Sequence, residues 1–219
     1  MPLLEIRKVA GGLLGLWLIR ESAGELSSMV DAGGGGTALP SFLGTESRKR
    51  EFLATRTLLS HMPGLPFRIG YLPGGRPCLP GSALHISISH SSEMAALLVL
   101  PHPAGIDTEV MTRDVSAVAG KFLSEEELAW TAAAADPKAA MLVCWCAKES
   151  VYKMAGDSTL RFREEIKAGP PAGTAEMDIP VRFRYGDKYV ALPVRWFRAA
   201  GSLVAWCTHG GEEQIQEGY

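Results

Sequence analysis

Hydrophobic positions along this chain switch between the strand and helix periods. Leu13 to Ile19 is a short, almost unbroken apolar run and reads as a buried strand. Glu25 to Ala32 reads as a short helix that stops at Gly33-Gly34-Gly35-Gly36, where four consecutive glycines predict a loop. From Glu46 to His61, Phe52, Leu53, Leu58 and Leu59 form an apolar stripe with basic residues opposite, which predicts a helix closed by Met62-Pro63-Gly64. The Pro- and Gly-rich stretch Leu72 to Gly81 reads as a shaped loop. Leu84 to Ser89 alternates, with Ile86 and Ile88 on one face, and Ser91-Ser92-Glu93 turns the chain into the strand Met94 to Leu100.

Pro101-His102-Pro103 is the best boundary between halves, giving expected domains of residues 1–103 and 104–219. In the second half, Gly105 to Glu109 reads as a strand. Ser124 and Glu127 form a capping box, each satisfying a backbone N–H of the other at a helix start. Asp136-Pro137 opens a further helix, which carries Trp145 to Met154 and stops near Gly156. Ile179 to Tyr185 and Tyr189 to Val194 alternate around Gly186-Asp187, a hairpin pattern, and Leu203 to Thr208 is a last strand. The polar tail from His209 is expected to fray. Both halves run helix, then strands, so the pattern predicts an α+β fold; no sequence repeat is visible.

Composition narrows the function classes. Of 219 residues, 47% are hydrophobic and 21% charged, as in an ordinary soluble protein, and the net charge of −2 supplies no global field for nucleic acid or anionic membrane. Arg48-Lys49-Arg50 and Arg56 cluster in one segment, as a solvated helix face or as a phosphate contact. Cys78, Cys144, Cys146 and Cys207 have neither disulfide nor zinc spacing and read as free buried thiols. No Lys-Ser/Thr pair follows the glycine run as it would in a P-loop. The apolar stretch Gly11 to Ile19 is too short to span a bilayer and lacks the flanks of a signal peptide, so cytoplasmic residence is the expectation.

The chemistry lies in two segments. Along a strand, Asp107 and Glu109 share a face. Two carboxylates side by side repel unless a cation sits between them, and Mg²⁺, which takes oxygen ligands and bridges carboxylates to phosphates, fits. On the helix, Trp145, Glu149 and Lys153 recur at intervals of four and share one face, with Lys148 adjacent. The plainer readings stand beside these: Asp107 and Glu109 as solvent-facing strand residues, Glu149 as the i,i+4 partner of Lys153, Lys148 and Lys153 as solvated charges. His90 shares the parity of Ile86 and Ile88, so it ends an inward-facing stripe and could be a core histidine.

Gly105-Ile106-Asp107-Thr108-Glu109, followed by Trp145-Cys146-Ala147-Lys148-Glu149-Ser150-Val151-Tyr152-Lys153, resembles the paired motifs of the 4'-phosphopantetheinyl transferase superfamily. Upstream, Gly75-Arg76-Pro77 and Ser87-Ile88-Ser89-His90-Ser91 are similar to its two earlier segments; Arg76 stands where many relatives have Lys. The resemblance covers roughly Arg48 to Lys153. It implies two similar α+β halves related by a pseudo-twofold, with the site between them. It implies Asp107, Glu109 and Glu149 as ligands of Mg²⁺, Glu149 as general base (directly or through a water), and Lys148 and Lys153 on the pyrophosphate of coenzyme A. It implies Arg56 on the 3'-phosphate, with Arg76, Pro77, Ser89 and His90 as further coenzyme A contacts.

The resulting expectation is a monomeric holo-[acyl-carrier-protein] synthase type enzyme. It would transfer 4'-phosphopantetheine from coenzyme A to a serine of an apo acyl or peptidyl carrier protein and release 3',5'-ADP. A Mg²⁺-dependent phosphodiesterase or nuclease is a rival, disfavoured by the near-neutral charge. A carrier-binding module with a decayed site is another, disfavoured by the intact carboxylates and lysines.

Overall fold

A computed structural model describes residues 2–32, 39–171 and 178–210. The glycine run and most of the polar tail lie outside these residues. Two compact units divide the chain, Met1–Pro101 and His102–Tyr219.

The first unit is one antiparallel sheet covered by two helices. Strands β1 (Leu3–Val9) and β2 (Gly12–Leu18) are followed by helices α1 (Ala23–Ala32) and α2 (Glu46–His61). A small hairpin, β3 (Gly70–Tyr71) with β4 (Pro77–Cys78), precedes β5 (His85–His90) and β6 (Met94–Leu100). The sheet order is β1-β2-β6-β5. Strand β6 is central and buried at every residue. The apolar stripe of α2 packs on this sheet: Leu53, Leu58 and Leu59 join Trp17, Leu26, Ile86 and Leu97 in one core cluster. Thr45 caps α2 by accepting from the Arg48 N–H. Arg50 donates to the carbonyls of Glu21 and Ile19 at 2.7 and 2.9 Å, so it fixes the chain entering α1. The turn at Ser91 closes as expected, with its N–H donating to the Met94 carbonyl at 2.8 Å.

The second unit is a five-stranded antiparallel sheet wrapped on one long helix. Strand β7 (Ala104–Val110) leads through a 3₁₀ turn (Ser116–Val118) to the short helices α3 (Ala119–Phe122) and α4 (Glu125–Ala132), then to α5 (Pro137–Ala155). Helix α6 (Phe162–Glu165), β8 (Ile166–Ala168), β9 (Asp178–Tyr185), β10 (Lys188–Ala199) and β11 (Ser202–Thr208) complete it, in sheet order β7-β11-β10-β9-β8. The expected caps are present. Ser124 and Glu127 make the full capping box, Asp136 accepts from the Ala139 N–H, and Gly156 ends α5 in the left-handed conformation that favours glycine. Val143, Ala147, Val151 and Met154 of α5 pack on Ile179, Val181, Phe183 and Leu203 of the sheet. The α+β prediction therefore holds in both units. Strand β1 was not apparent in the sequence; it is an edge strand whose side chains are mostly only half-buried. Cys144, Cys146 and Cys207 are buried free thiols, and Cys78 is partly exposed. No helix among the described residues is long and apolar enough to cross a membrane.

Candidate active site

Strand β7 and helix α5 meet backbone to backbone at Gly105. A Cβ at this position would lie 1.8 Å from the carbonyl oxygen of Ser150 and 2.9 Å from the amide nitrogen of Met154. Only glycine permits that approach. It sets the helix residues Glu149 and Lys153 beside the strand residues that follow Gly105. Lys153 Nζ donates to Asp107 Oδ1 at 2.7 Å and to the Ile106 carbonyl at 3.1 Å. Two motifs far apart in sequence are thus joined by one ammonium.

Asp107 is 4% exposed, and Glu109 and Glu149 are each partly buried. Burial pushes the Glu109 carboxyl up to about 7, and the charge of Asp107 pushes the same way; Arg113, the Trp145 indole and Lys153 oppose them. Glu149 is raised by burial first and by Asp107 second, with Lys153 and Arg113 opposing. The charge of Asp107 therefore reaches both Glu109 and Glu149, and two cations, Arg113 and Lys153, oppose it at each. Arg113 bonds Glu109 directly, and its guanidinium lies 5.3 Å from the centre of the Trp145 ring. Trp145 is packed edge-on against Phe122 at 4.9 Å.

An all-oxygen donor set of this kind suits a hard divalent cation, and such an ion would relieve the repulsion that raises Glu109 and Glu149. In their present arrangement, no three His, Cys, Asp or Glu side chains among the described residues are grouped to hold an ion. Lys153 and Arg113 supply the compensating charge instead. The residues fit Mg²⁺ in the chemistry of their donors.

Lys148 differs from its expected role. It is fully buried, and its Nζ donates to Glu127 Oε2 at 3.0 Å, Glu127 Oε1 at 3.1 Å and the Phe122 carbonyl at 2.6 Å. An ammonium has three donors, and all three are occupied inside the unit. Lys148 thus turns into the core instead of facing a pyrophosphate. Glu127 also accepts from the Ser124 and Ala168 N–H groups, both at 2.7 Å, so this carboxylate ties α4, α5 and β8 together. Its capping role was readable in the sequence; its partnership with Lys148 was not.

In the first unit, Arg56 is only 8% exposed. Its Nη1 donates to the Phe52 carbonyl at 3.0 Å and to Thr55 Oγ1 at 3.4 Å, and its Nη2 donates to the Tyr71 hydroxyl at 3.3 Å. The guanidinium sits 3.2 Å from the centre of the Phe52 ring. Arg76 and Pro77 lie on the β3–β4 hairpin, where Pro77 pairs with Tyr71 and the Arg76 carbonyl accepts from the Leu72 N–H at 2.8 Å. Ser89 is buried. His90 is exposed, not a core histidine: its Nδ1 is 3.3 Å from Glu51 Oε2 of α2. The strand ends at His90, so the alternation that holds for Ile86 no longer forces it inward. Tyr71 and Arg113 escaped the sequence reading; Arg113 stands four residues after Glu109, but beyond the strand end, where alternation carries no information.

Comparison with known families supports a broad class. Residues 103–179 match the family model of the 4'-phosphopantetheinyl transferase superfamily. The matched stretch is about a third of the chain, and it contains Asp107, Glu109, Arg113, Glu127, Glu149 and Lys153. It supports the superfamily resemblance seen in the motifs, and with it phosphopantetheinyl transfer in general, chemistry for which the superfamily uses coenzyme A. The superfamily match stops short of Arg56, Arg76, Pro77, Ser89 and His90. No curated protein matches the chain.

Proposed function

We propose that this protein is a holo-[acyl-carrier-protein] synthase type enzyme, active as a monomer in the cytoplasm. It transfers 4'-phosphopantetheine from coenzyme A to a serine of an apo acyl or peptidyl carrier protein. The observation that carries this reading is the Lys153–Asp107 pair with Glu109 and Glu149 within reach of both charges, inside the stretch that matches the superfamily. The serine oxygen attacks the β-phosphorus of coenzyme A. The bond from that phosphorus to the bridging oxygen breaks, and 3',5'-ADP leaves. Glu149, whose carboxyl burial and Asp107 hold above its ordinary range, accepts the serine proton, directly or through a water. Lys153, anchored on Asp107, presents its positive charge to the pyrophosphate. Mg²⁺ bound by Asp107, Glu109 and Glu149 would offset the negative charge that develops on the phosphates. Arg56, Arg76, Pro77, Ser89 and His90 contact the rest of coenzyme A. Lys148 acts indirectly, by holding α5 against α4.

The test is to incubate the full-length protein with coenzyme A, MgCl₂ and an apo carrier protein, and to follow the intact mass of the carrier. One phosphopantetheine per carrier serine is expected, and none after chelation of the metal. An unchanged carrier with acyl and peptidyl types alike refutes the proposal; cleavage of coenzyme A without transfer would support the phosphodiesterase reading instead.

A further inference from the structure

Among the described residues, Arg56 is a buried cation without an acidic partner. No carboxylate lies within ion-pair distance of it among the described residues, although nine-tenths of its surface is shielded. Its hydrogen bonds go to a helix carbonyl, a threonine hydroxyl and the Tyr71 hydroxyl, all neutral. A shielded guanidinium is costly unless paired. Burial pulls it below its ordinary range, and the Tyr71 hydrogen bond only partly restores it. Nε and the second Nη2 hydrogen have no partner among the described residues, so donors remain for an anion.

Tyr71 stands over this group from a separate element. The residue is 55% exposed, yet its hydroxyl reaches Arg56. A phenol can accept from the guanidinium and donate its own proton to an incoming anion. Phe52 covers one face of the guanidinium. The anion that exploits several parallel N–H donors plus one O–H donor is a phosphate monoester, with three terminal oxygens and close to two negative charges. The monoester of coenzyme A is the phosphate on its ribose 3' position.

We infer that Tyr71 is a specificity-determining residue, whose hydroxyl bonds the 3'-phosphate of coenzyme A while Arg56 neutralises it. This inference rests on coenzyme A being the donor substrate. It assigns Tyr71 to binding and not to the chemical step.

The experiment is calorimetric titration of the wild type and Tyr71→Phe with coenzyme A and with 3'-dephospho-coenzyme A, alongside the carrier mass assay. Tyr71→Phe removes one oxygen from an exposed ring, and thermal melting alongside shows that the variant is folded at the titration temperature. The variant should bind coenzyme A about tenfold more weakly, the order expected for one hydrogen bond to a charged group. Binding of the dephospho compound should be unchanged. Equal losses for both ligands, or no loss for either, overturn the inference. The two readings fail separately: a wild type that modifies the carrier but shows no Tyr71-dependent preference for the 3'-phosphate refutes only the role of Tyr71. A wild type that binds neither ligand and leaves the carrier unmodified refutes both.

Discussion

Gly105→Ala adds one methyl group at the point where β7 and α5 touch. The new carbon would sit 1.8 Å from the Ser150 oxygen, whereas real contacts of this kind do not fall below 3.0 Å, so strand or helix must withdraw by about 1.2 Å. Every close atom there is backbone, so no side chain can swing aside. Overpacking of this kind costs about 1–3 kcal/mol, and rigid walls on both sides favour the upper end. In a chain of this size each kcal/mol lowers Tm by roughly 2–4 °C, so a fall of about 5–12 °C is expected. The same displacement stretches the 2.7 Å contact between Lys153 and Asp107 past hydrogen-bonding distance. A 1 Å error in placing reacting groups can cost about 10²-fold in rate, so kcat for carrier modification should fall by about that factor even well below Tm. Thermal melting and denaturant titration measure the first effect, and steady-state transfer at 15–20 °C below the variant's Tm (an interval of about this size keeps the folded state populated) measures the second. An unchanged Tm would refute the packing argument. A lowered Tm with normal kcat would refute the link between this contact and the site.

Glu149→Gln should lower kcat by roughly 10²–10⁴ with coenzyme A binding retained, as steady-state kinetics and calorimetry would show; recovery of most of the rate at saturating Mg²⁺ would make Glu149 a ligand only. Lys148→Met should destabilise the protein by about 3–5 kcal/mol in denaturant titration, because the Glu127 charge is left buried and unpaired. Adding Glu127→Gln should recover part of that loss, whereas a stable Lys148→Met protein with weakened coenzyme A binding would restore the phosphate role. Burial raises the Cys144 thiol and pushes Cys207 up to about 12. Their folded values exceed their unfolded ones, so the stability they lend is complete below the ordinary thiol range near pH 9 and is lost above it, as the unfolded chain releases protons that the folded chain keeps. Cys146 is raised by burial in the same way, so each of the three thiols adds about 1.4 kcal/mol per pH unit to the fall in stability above that point, and the Cys144→Ala/Cys207→Ala variant should lose about two-thirds of the slope in denaturant titrations run between about pH 8 and 11.

Local order was written in the chain. The capping box of Ser124 and Glu127, the Asp136 cap, the Gly156 stop and the turn at Gly186-Asp187 depend on residues within a few positions of one another, where backbone geometry leaves few alternatives. The helix Glu46–His61 and the strand Met94–Leu100 were legible to the residue, since a long stripe or a wholly apolar run admits one reading. Asp107, Glu109, Glu149 and Lys153 could be singled out as candidates too, because they belong to two compact motifs. Pairing was not. Lys148 and Lys153 look equivalent in sequence, five residues apart on one helix, yet one is sealed against Glu127 and the other reaches Asp107. Which partner each meets depends on the rotation of α5 over the sheet, and that rotation is set by Gly105 against Ser150 and by the apolar residues beneath the helix. Arg56 shows the same division: its charge is a property of the sequence, but its burial under Phe52 and its contact with Tyr71 exist only once the β3–β4 hairpin packs beside α2. Short-range backbone preferences decide the elements; the distances between charges arise only when packing brings remote segments into van der Waals contact.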